Sequence, residues 1–212
     1  MKTPCMVTLG CCLALFFITT PARSQTPVNL GLEGGVNFGN ASTSPSSISL
    51  SSRTGVMAGA LLEIGLSEAL YLQPEVFYAQ KGAEFSVSSP NGSGTITWKV
   101  DYIEIPILLE GKFGQSEFKP LIFAGPNIGF NLSANAEATN GTNTGSVDIK
   151  DQIESMDFAL DFGAGGEYMI NSTTSFITTI RYSLGMTDIN KDATDSWKTT
   201  GVQLLAGFKF RM

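Results

Sequence analysis

Apolar and polar residues alternate along most of the chain with a period of two, not with the period of a helix. In residues 102–113, Ile103, Ile105 and Ile107 occupy odd positions, whereas Glu104 and Glu110 occupy even ones. Because a strand directs successive side chains to opposite faces, each such segment has one apolar and one polar face. The alternation predicts eight strands, near residues 29–38, 55–66, 70–85, 95–113, 118–132, 156–170, 174–186 and 199–211.

The connections between these predicted strands alternate in length. The short ones are residues 67–69, 114–117 and 171–173. The long ones, which are rich in Ser, Thr, Asn and Gly, are residues 39–54, 86–94, 133–155 and 187–198. Short turns at one end and long loops at the other are typical of outer-membrane barrels. We therefore predict an all-β fold, an eight-stranded, antiparallel, up-and-down transmembrane β-barrel.

Alternation alone does not say which face points outward, because a soluble, lipocalin-like periplasmic carrier would place the apolar face inside. Two features favour a membrane barrel. The polar face carries many glycines, and the other face carries large apolar residues on nearly every strand. Aromatic residues on the apolar face also gather at two heights, as interfacial belts do. They are Phe38, Tyr78, Phe130, Phe158 and Tyr182 toward the loops, and Phe113, Phe118, Tyr168, Phe176 and Phe210 toward the turns. The apolar face is expected to contact outer-membrane lipid, with the soluble carrier as the alternative.

Charged residues share the polar register and are expected inside the barrel. The acids are Glu33, Glu63, Glu75, Glu104, Glu110, Asp157, Asp161 and Glu167. The bases are Lys81, Lys112, Lys119, Arg181, Lys209 and Arg211. Because an unpaired buried charge is costly, this composition predicts a structural network of ion pairs that fills the lumen. A second hypothesis is a site in which Asp157, Asp161 and Glu167 surround Arg181 and bind a cation or act as acid and base.

Residues 1–24 have the pattern of a secretory signal peptide. Lys2 precedes an apolar run over residues 6–18, and Ala22 and Ser24 supply small side chains before a cut at residue 25. The three cysteines, Cys5, Cys11 and Cys12, would leave with this segment. The predicted mature domain, residues 25–212, would then have no thiol chemistry.

The chain contains no histidine and has a formal charge of −6. The missing histidine removes the commonest general base and the Ser-His nucleophile pair, so we predict a protein that is not an enzyme, without catalytic residues or a cofactor. The acidic balance argues against nucleic acid as a partner. The string Asp188-Ile-Asn190-Lys-Asp192 begins like a calcium loop, but Ala193 and Thr199 stand where Gly and Glu are required. We therefore predict no metal site.

The long connection at residues 133–155 carries Glu137, Asp148, Asp151 and Glu154 against Lys150 alone. Such an acidic surface loop is a candidate site for a protein partner, and a solvated, mobile loop is the alternative.

Six segments carry a resemblance to a known family: residues 31–37, 72–82, 102–109, 119–126, 161–167 and 181–185. Together they span nearly the whole predicted mature chain, which resembles the outer membrane β-barrel domain of Bacteroidetes that is labelled PorT-like. The resemblance implies insertion by the barrel-assembly machinery, although Met212 stands where that machinery usually reads a terminal aromatic residue. Most members have no assigned activity, so we expect a structural or interaction role. The founding member is implicated in secretion across the outer membrane, which implies an accessory component of a secretion or envelope complex as an alternative.

Overall fold

The computed structural model describes residues 27–44, 51–89, 92–140, 143–191 and 196–212. The predicted signal segment, residues 1–24, and its cysteines lie outside these ranges. The strands are β1 Val28–Ser44, β2 Ser51–Gly65, β3 Leu70–Ser89, β4 Gly92–Lys112, β5 Phe118–Asn140, β6 Asn143–Asp148, β7 Met156–Met169, β8 Thr174–Gly185 and β9 Ser196–Arg211. A 3₁₀ turn covers Lys150–Gln152. Within the described residues, no helix is long and apolar enough to cross a membrane.

Eight of these strands form a closed antiparallel barrel in chain order. Each pairs with its neighbour in the sequence, and β1 pairs with β9 to close the ring, so that Val36 lies opposite both Val56 and Leu204. Strand β6 does not separate β5 from β7 in the ring. These two strands pair directly, from Phe118 opposite Tyr168 to Phe130 opposite Met156. The predicted eight-stranded, up-and-down barrel is confirmed.

The strands continue past their predicted ends on the loop side. Pairing of β3 with β4 extends to Ser89 opposite Gly92, and pairing of β4 with β5 extends to Gly94 opposite Asn140. The extra strand β6 then pairs with the upper part of β5. The connection at residues 133–155 was expected to be a loop, but it is largely a β-hairpin. The Asn-Gly pair at residues 140–141 is a strong hairpin former, and strand residues on both sides extend the pairing.

The outward face of the barrel is apolar. Leu32 in β1, Val56 in β2 and Ile122 in β5 are 60%, 55% and 54% exposed, respectively. The ten aromatic residues predicted at two heights also point outward, with Tyr78 the most covered of them. This arrangement is the inverse of a soluble carrier and matches a barrel whose surrounding solvent is lipid.

Glycines on the inner face have a cause that the sequence did not reveal. A Cβ atom on Gly35 would lie 1.9 Å from the carbonyl oxygen of Leu204, and one on Gly207 would lie 2.0 Å from that of Leu32. Both oxygens belong to the backbone of the neighbouring strand. These two glycines therefore allow close approach of paired strands. Other inner glycines make room for side chains in the lumen, because a Cβ atom on Gly31 would lie 2.8 Å from the Leu61 side chain and one on Gly163 would lie 2.6 Å from the Phe123 ring.

Candidate functional site

The barrel interior contains most of the predicted charges. Twelve of them are buried on the inner face of seven strands: Glu33, Glu63, Glu75, Lys81, Glu104, Glu110, Lys112, Asp157, Asp161, Glu167, Arg181 and Lys209. The inward side chains of β3 mark the direction of the barrel axis. Tyr71 lies near the turn end, Glu75 lies in the middle and Lys81 lies toward the loop end. Eleven of these charges lie in three clusters along this direction.

The middle cluster is centred on Arg181, which is 1% exposed. Its guanidinium binds Glu75 through two contacts, Nη1 to Oε2 at 2.8 Å and Nη2 to Oε1 at 3.0 Å. The carboxylate of Asp161 lies 3.7 Å from Nη1. The rings of Phe77 and Phe123 lie 5.6 and 5.3 Å from the guanidinium carbon, within cation–π range. A planar cation is thus held by a bidentate carboxylate contact and two aromatic rings.

The lower cluster, nearer the turn end, contains two lysines among three glutamates. Glu63 Oε2 lies 2.7 Å from Lys112 Nζ and 2.5 Å from Lys209 Nζ. Glu167 lies 2.5 Å from Lys112, and Glu110 lies 3.5 Å from both ammonium groups. The three carboxylates have oxygens within 4.8 Å of one another, as a metal site would. The two ammonium groups already lie among these oxygens, so this cluster is an ion-pair network.

The upper cluster joins the barrel to the loops. Lys81 forms an ion pair with Glu104 and lies 4.0 Å from Asp157. Asp157 also accepts hydrogen bonds from the hydroxyl groups of Thr187, at 2.9 Å, and Thr199, at 2.6 Å. Asp157 therefore holds the connection that follows β8 against the start of β9.

The alternative site hypothesis is wrong in its geometry. Only Asp161 approaches Arg181, whereas Asp157 belongs to the upper cluster and Glu167 to the lower one. All three residues are four or more positions apart on β7, so the rise of the strand separates them along the barrel axis.

The predicted balance of interior charges is also wrong in one respect. Among the residues that the structure describes, eight buried carboxylates face four buried cations, because Arg211 is exposed and Lys119 is only half-buried. Both line a cavity of about 170 Å³ at the turn end of the barrel. Arg211 is the last residue of β9, so its long side chain reaches the mouth of the barrel instead of the network. Neither carboxylate oxygen of buried Glu33 has a hydrogen-bond partner among the described residues.

Large apolar residues share the interior with the charges, and sequence reasoning missed them. They are Met57, Leu61, Phe77, Leu108, Leu121, Phe123, Ile177 and Leu205. They occupy the same alternate positions as the charges, for example Phe77 two residues after Glu75. That register is the signal that could have revealed them. Apolar packing and ion pairs together fill the space between the clusters.

An apolar cap covers the loop end of the interior. It consists of the buried residues Val100, Tyr102, Ala134, Ile153 and Ile189, against which Ile149 and Trp197 pack. Trp197 stacks on Trp98 with 4.0 Å between ring centroids. The segment that follows β6 and the segment that follows β8 meet in this cap through a β-bridge between Ile153 and Asn190.

Asp188 holds Trp197 in place within the cap. Its carboxylate accepts backbone hydrogen bonds from Asn190, at 3.0 Å, and Trp197, at 2.8 Å. Partial burial acts to raise the pKa of Asp188, but these hydrogen bonds outweigh it and lower the pKa below its usual value. The first acid of the calcium-like string therefore serves as a backbone acceptor.

The β5–β6 hairpin provides the exposed loop-side surface that was predicted from residues 133–155. All six residues of β6 are exposed. Glu137 forms an ion pair of 2.6 Å with Lys99. Asp148, Asp151 and Glu154 are exposed and form no ion pair within the described parts of the chain.

Comparison with known proteins agrees with this geometry. A family model described as the outer membrane protein beta-barrel domain matches residues 23–191. The crystal structure of the outer membrane protein OprG from Pseudomonas aeruginosa has a TM-score of 0.56 at 14% identity, covering 88% of this chain and 97% of that one. Neisserial surface protein A (NspA) has a TM-score of 0.53 at 15% identity, covering 86% and 97%. No curated protein matches the chain in sequence. The structures share the fold, and the family model covers most of the sequence. The chain is therefore an outer-membrane protein that belongs to the outer membrane protein β-barrel domain family.

Proposed function

We propose that this protein is a non-enzymatic outer-membrane barrel with a structural or interaction role, which it performs through its loop-side hairpins. The observation that carries the proposal is the contrast between the two parts of the molecule. Ion pairs, apolar side chains and the cap fill the barrel, whereas the β5–β6 hairpin extends beyond it with every residue of β6 exposed. The interior charges then act as a rigid structural network, and the hairpin is the part that a partner reaches.

Three further proposals concern how the protein arrives in the membrane and which relatives it has. Residues 1–24 are a signal peptide that is removed, which leaves residues 25–212 as the barrel domain. The barrel-assembly machinery inserts this domain. The quoted sequence segments support membership of the PorT-like group of Bacteroidetes, and in that case the partner would be a component of a secretion or envelope complex.

The test of this function begins with the exposure of the hairpin on living cells. Val147 is 64% exposed on β6, and Ser172 is exposed in the turn between β7 and β8. In intact cells, a membrane-impermeant maleimide should label Val147→Cys, and it should label Ser172→Cys only after the outer membrane is permeabilised. Labelling of Ser172→Cys in intact cells would contradict the proposed orientation, in which the long loops lie outside the cell and the short turns lie in the periplasm.

The interaction role is tested at the same two positions. A photo-crosslinking amino acid in place of Val147 should give a discrete covalent adduct on intact cells, and the same group in place of Ser172 should not give that adduct. An identical adduct pattern at both positions would overturn the interaction role of the hairpin.

A further inference from the structure

Strand β6 has an open edge. Every other strand in the described chain pairs on both sides, whereas β6 pairs with β5 alone and ends the sheet. It spans Asn143–Asp148, and all six residues are exposed. An unpaired edge presents backbone donors and acceptors that another strand can use.

The hydrogen-bond register identifies which backbone groups are open. Asn135 lies opposite Asp148, and the next pair is Ala134 with Ile149, whose N–H donates to the Ala134 carbonyl at 2.9 Å. In an antiparallel pair, hydrogen-bonded and non-hydrogen-bonded positions alternate. The groups of Val147 and Gly145 therefore face β5. The N–H and C=O groups of Thr144, Ser146 and Asp148 face the open edge.

This edge lacks three of the devices that block strand addition, and its one charged residue, Asp148, stands at its end. Proteins protect edges with Lys, Pro, a β-bulge or a covering segment. The sequence of β6 contains neither Lys nor Pro, and its pairing with β5 runs through all six positions without a shift. The edge is thus suited to accept an added strand.

The charges around the lower end of β6 indicate the kind of strand that would fit. Asp148 ends the edge, and Asp151 and Glu154 follow it with their carboxylates exposed and outside any ion pair among the described residues. The ammonium groups nearby bind backbone carbonyls, Lys150 that of Leu132 and Lys191 that of Asp151. Three carboxylates against two lysines leave a net negative surface, which favours a basic partner.

We infer that β6 binds an extended, basic segment of another polypeptide by strand addition. This inference rests on the proposed interaction role and deepens it, since it names the binding mode and the chemistry of the partner. Main-chain hydrogen bonds to Thr144, Ser146 and Asp148 supply the affinity, and lysine or arginine side chains beside Asp148 select the partner.

The experiment uses the barrel refolded in detergent micelles and a fluorescent peptide of alternating threonine and valine with a lysine pair at each end. Fluorescence anisotropy should report saturable binding. The same peptide with N-methyl groups on all of its central residues, which blocks both of its edges, should bind about fivefold to tenfold more weakly or not at all, because each lost hydrogen bond reduces affinity. A glutamate-ended peptide should also bind more weakly. Equal binding of the three peptides, or no binding of the first at millimolar concentration, would overturn the inference.

Matched variants test the edge itself. Ser146→Pro removes an N–H that faces the open edge and leaves the β5–β6 pairing intact, so it should weaken binding about fivefold to tenfold. Ser146→Ala keeps the backbone and should bind like the unmodified chain. Asp148→Asn should weaken binding of the lysine-ended peptide by up to about fivefold. Equal affinity of Ser146→Pro and Ser146→Ala would contradict strand addition.

Two outcomes separate this inference from the proposed function. If Val147→Cys is labelled on intact cells but the peptide fails to bind, strand addition is wrong and a surface role remains. If Val147→Cys is not labelled, both fail. Concentration-dependent dimers that Ser146→Pro abolishes would show that the edge binds a second copy of this chain, and they would overturn a foreign partner.

Discussion

Replacement of Arg181 by methionine tests the interior network at its largest fully buried side chain. The substitution keeps an unbranched side chain but removes the cation from two contacts with Glu75, at 2.8 and 3.0 Å, and one with Asp161, at 3.7 Å. Both carboxylates are fully buried, so they cannot gain compensation from water. Breaking a buried pair in this way costs about 3–5 kcal/mol. Arg181→Met should therefore lower the free energy of unfolding by about that amount.

A second substitution separates the unpaired charge from other effects of the change. In Arg181→Met combined with Glu75→Leu, the carboxylate that the arginine bound most closely is also gone. Replacement of a whole buried pair by apolar residues is often neutral or stabilising. Asp161 keeps the hydrogen bond that it accepts from Asn127 at 3.0 Å. The double variant should recover most of the lost stability.

The assay is urea unfolding of the barrel in lipid vesicles, followed by the fluorescence of Trp98 and Trp197. Lys99→Met is the matched control, because the Lys99–Glu137 pair has a similar distance of 2.6 Å but side chains 37% and 29% exposed. An exposed pair contributes at most about 1 kcal/mol. If Arg181→Met cost no more than Lys99→Met, or if the double variant were no more stable than the single one, the proposed role of the network would be refuted.

Three further predictions concern the lipid face, the inner glycines and the cap. Leu204→Arg places a charge in the middle of the outward face and should lower the free energy of unfolding in vesicles by about 2–4 kcal/mol. Val147→Arg on β6 should change that free energy by no more than about 0.5 kcal/mol. Equal losses of stability would contradict the inference that the outward face, and not β6, lies in the membrane. Gly35→Ala drives a methyl group against a neighbouring carbonyl and should cost about 1–3 kcal/mol, whereas Gly145→Ala meets nothing within 4 Å and should be neutral or slightly stabilising. The lowered pKa of Asp188 means that its contribution to the cap is complete above the ordinary aspartate pKa of about 3.9 and is lost as pH falls through the lower folded value. Acidification below that range should change the fluorescence of the stacked tryptophans, and the change should be absent in Asp188→Asn; an identical titration in both would exclude Asp188 as its source.

The barrel was predictable because its physical signals are local. Alternation with a period of two places Ile103 and Glu104 on opposite faces whatever the rest of the chain does, and turn length identifies the two ends of the barrel. The outward direction of the apolar face was also predictable from the sequence. Aromatic residues that gather at two heights are expected when a barrel crosses the two interfaces of a bilayer.

The arrangement of the interior was less predictable because it depends on contacts between strands distant in the chain. Register alone placed Arg181 and Glu167 on the inner face, but only the stagger between strands separates them into different clusters. The carbonyl beside Gly35 belongs to β9 and gives no signal near residue 35. Strand β6 was missed because its polar, threonine- and glycine-containing sequence lacks apolar alternation, and it forms as a hairpin on β5.

The most direct test of the account is the electrophoretic mobility of residues 25–212 after refolding in detergent. A closed barrel that lipid or detergent stabilises should migrate differently before and after boiling, and it should aggregate when detergent is withdrawn, because its apolar face has no other solvent. A monomer that stays soluble without detergent and has the same mobility before and after boiling would contradict the central claim that the apolar face of this barrel lies in the membrane.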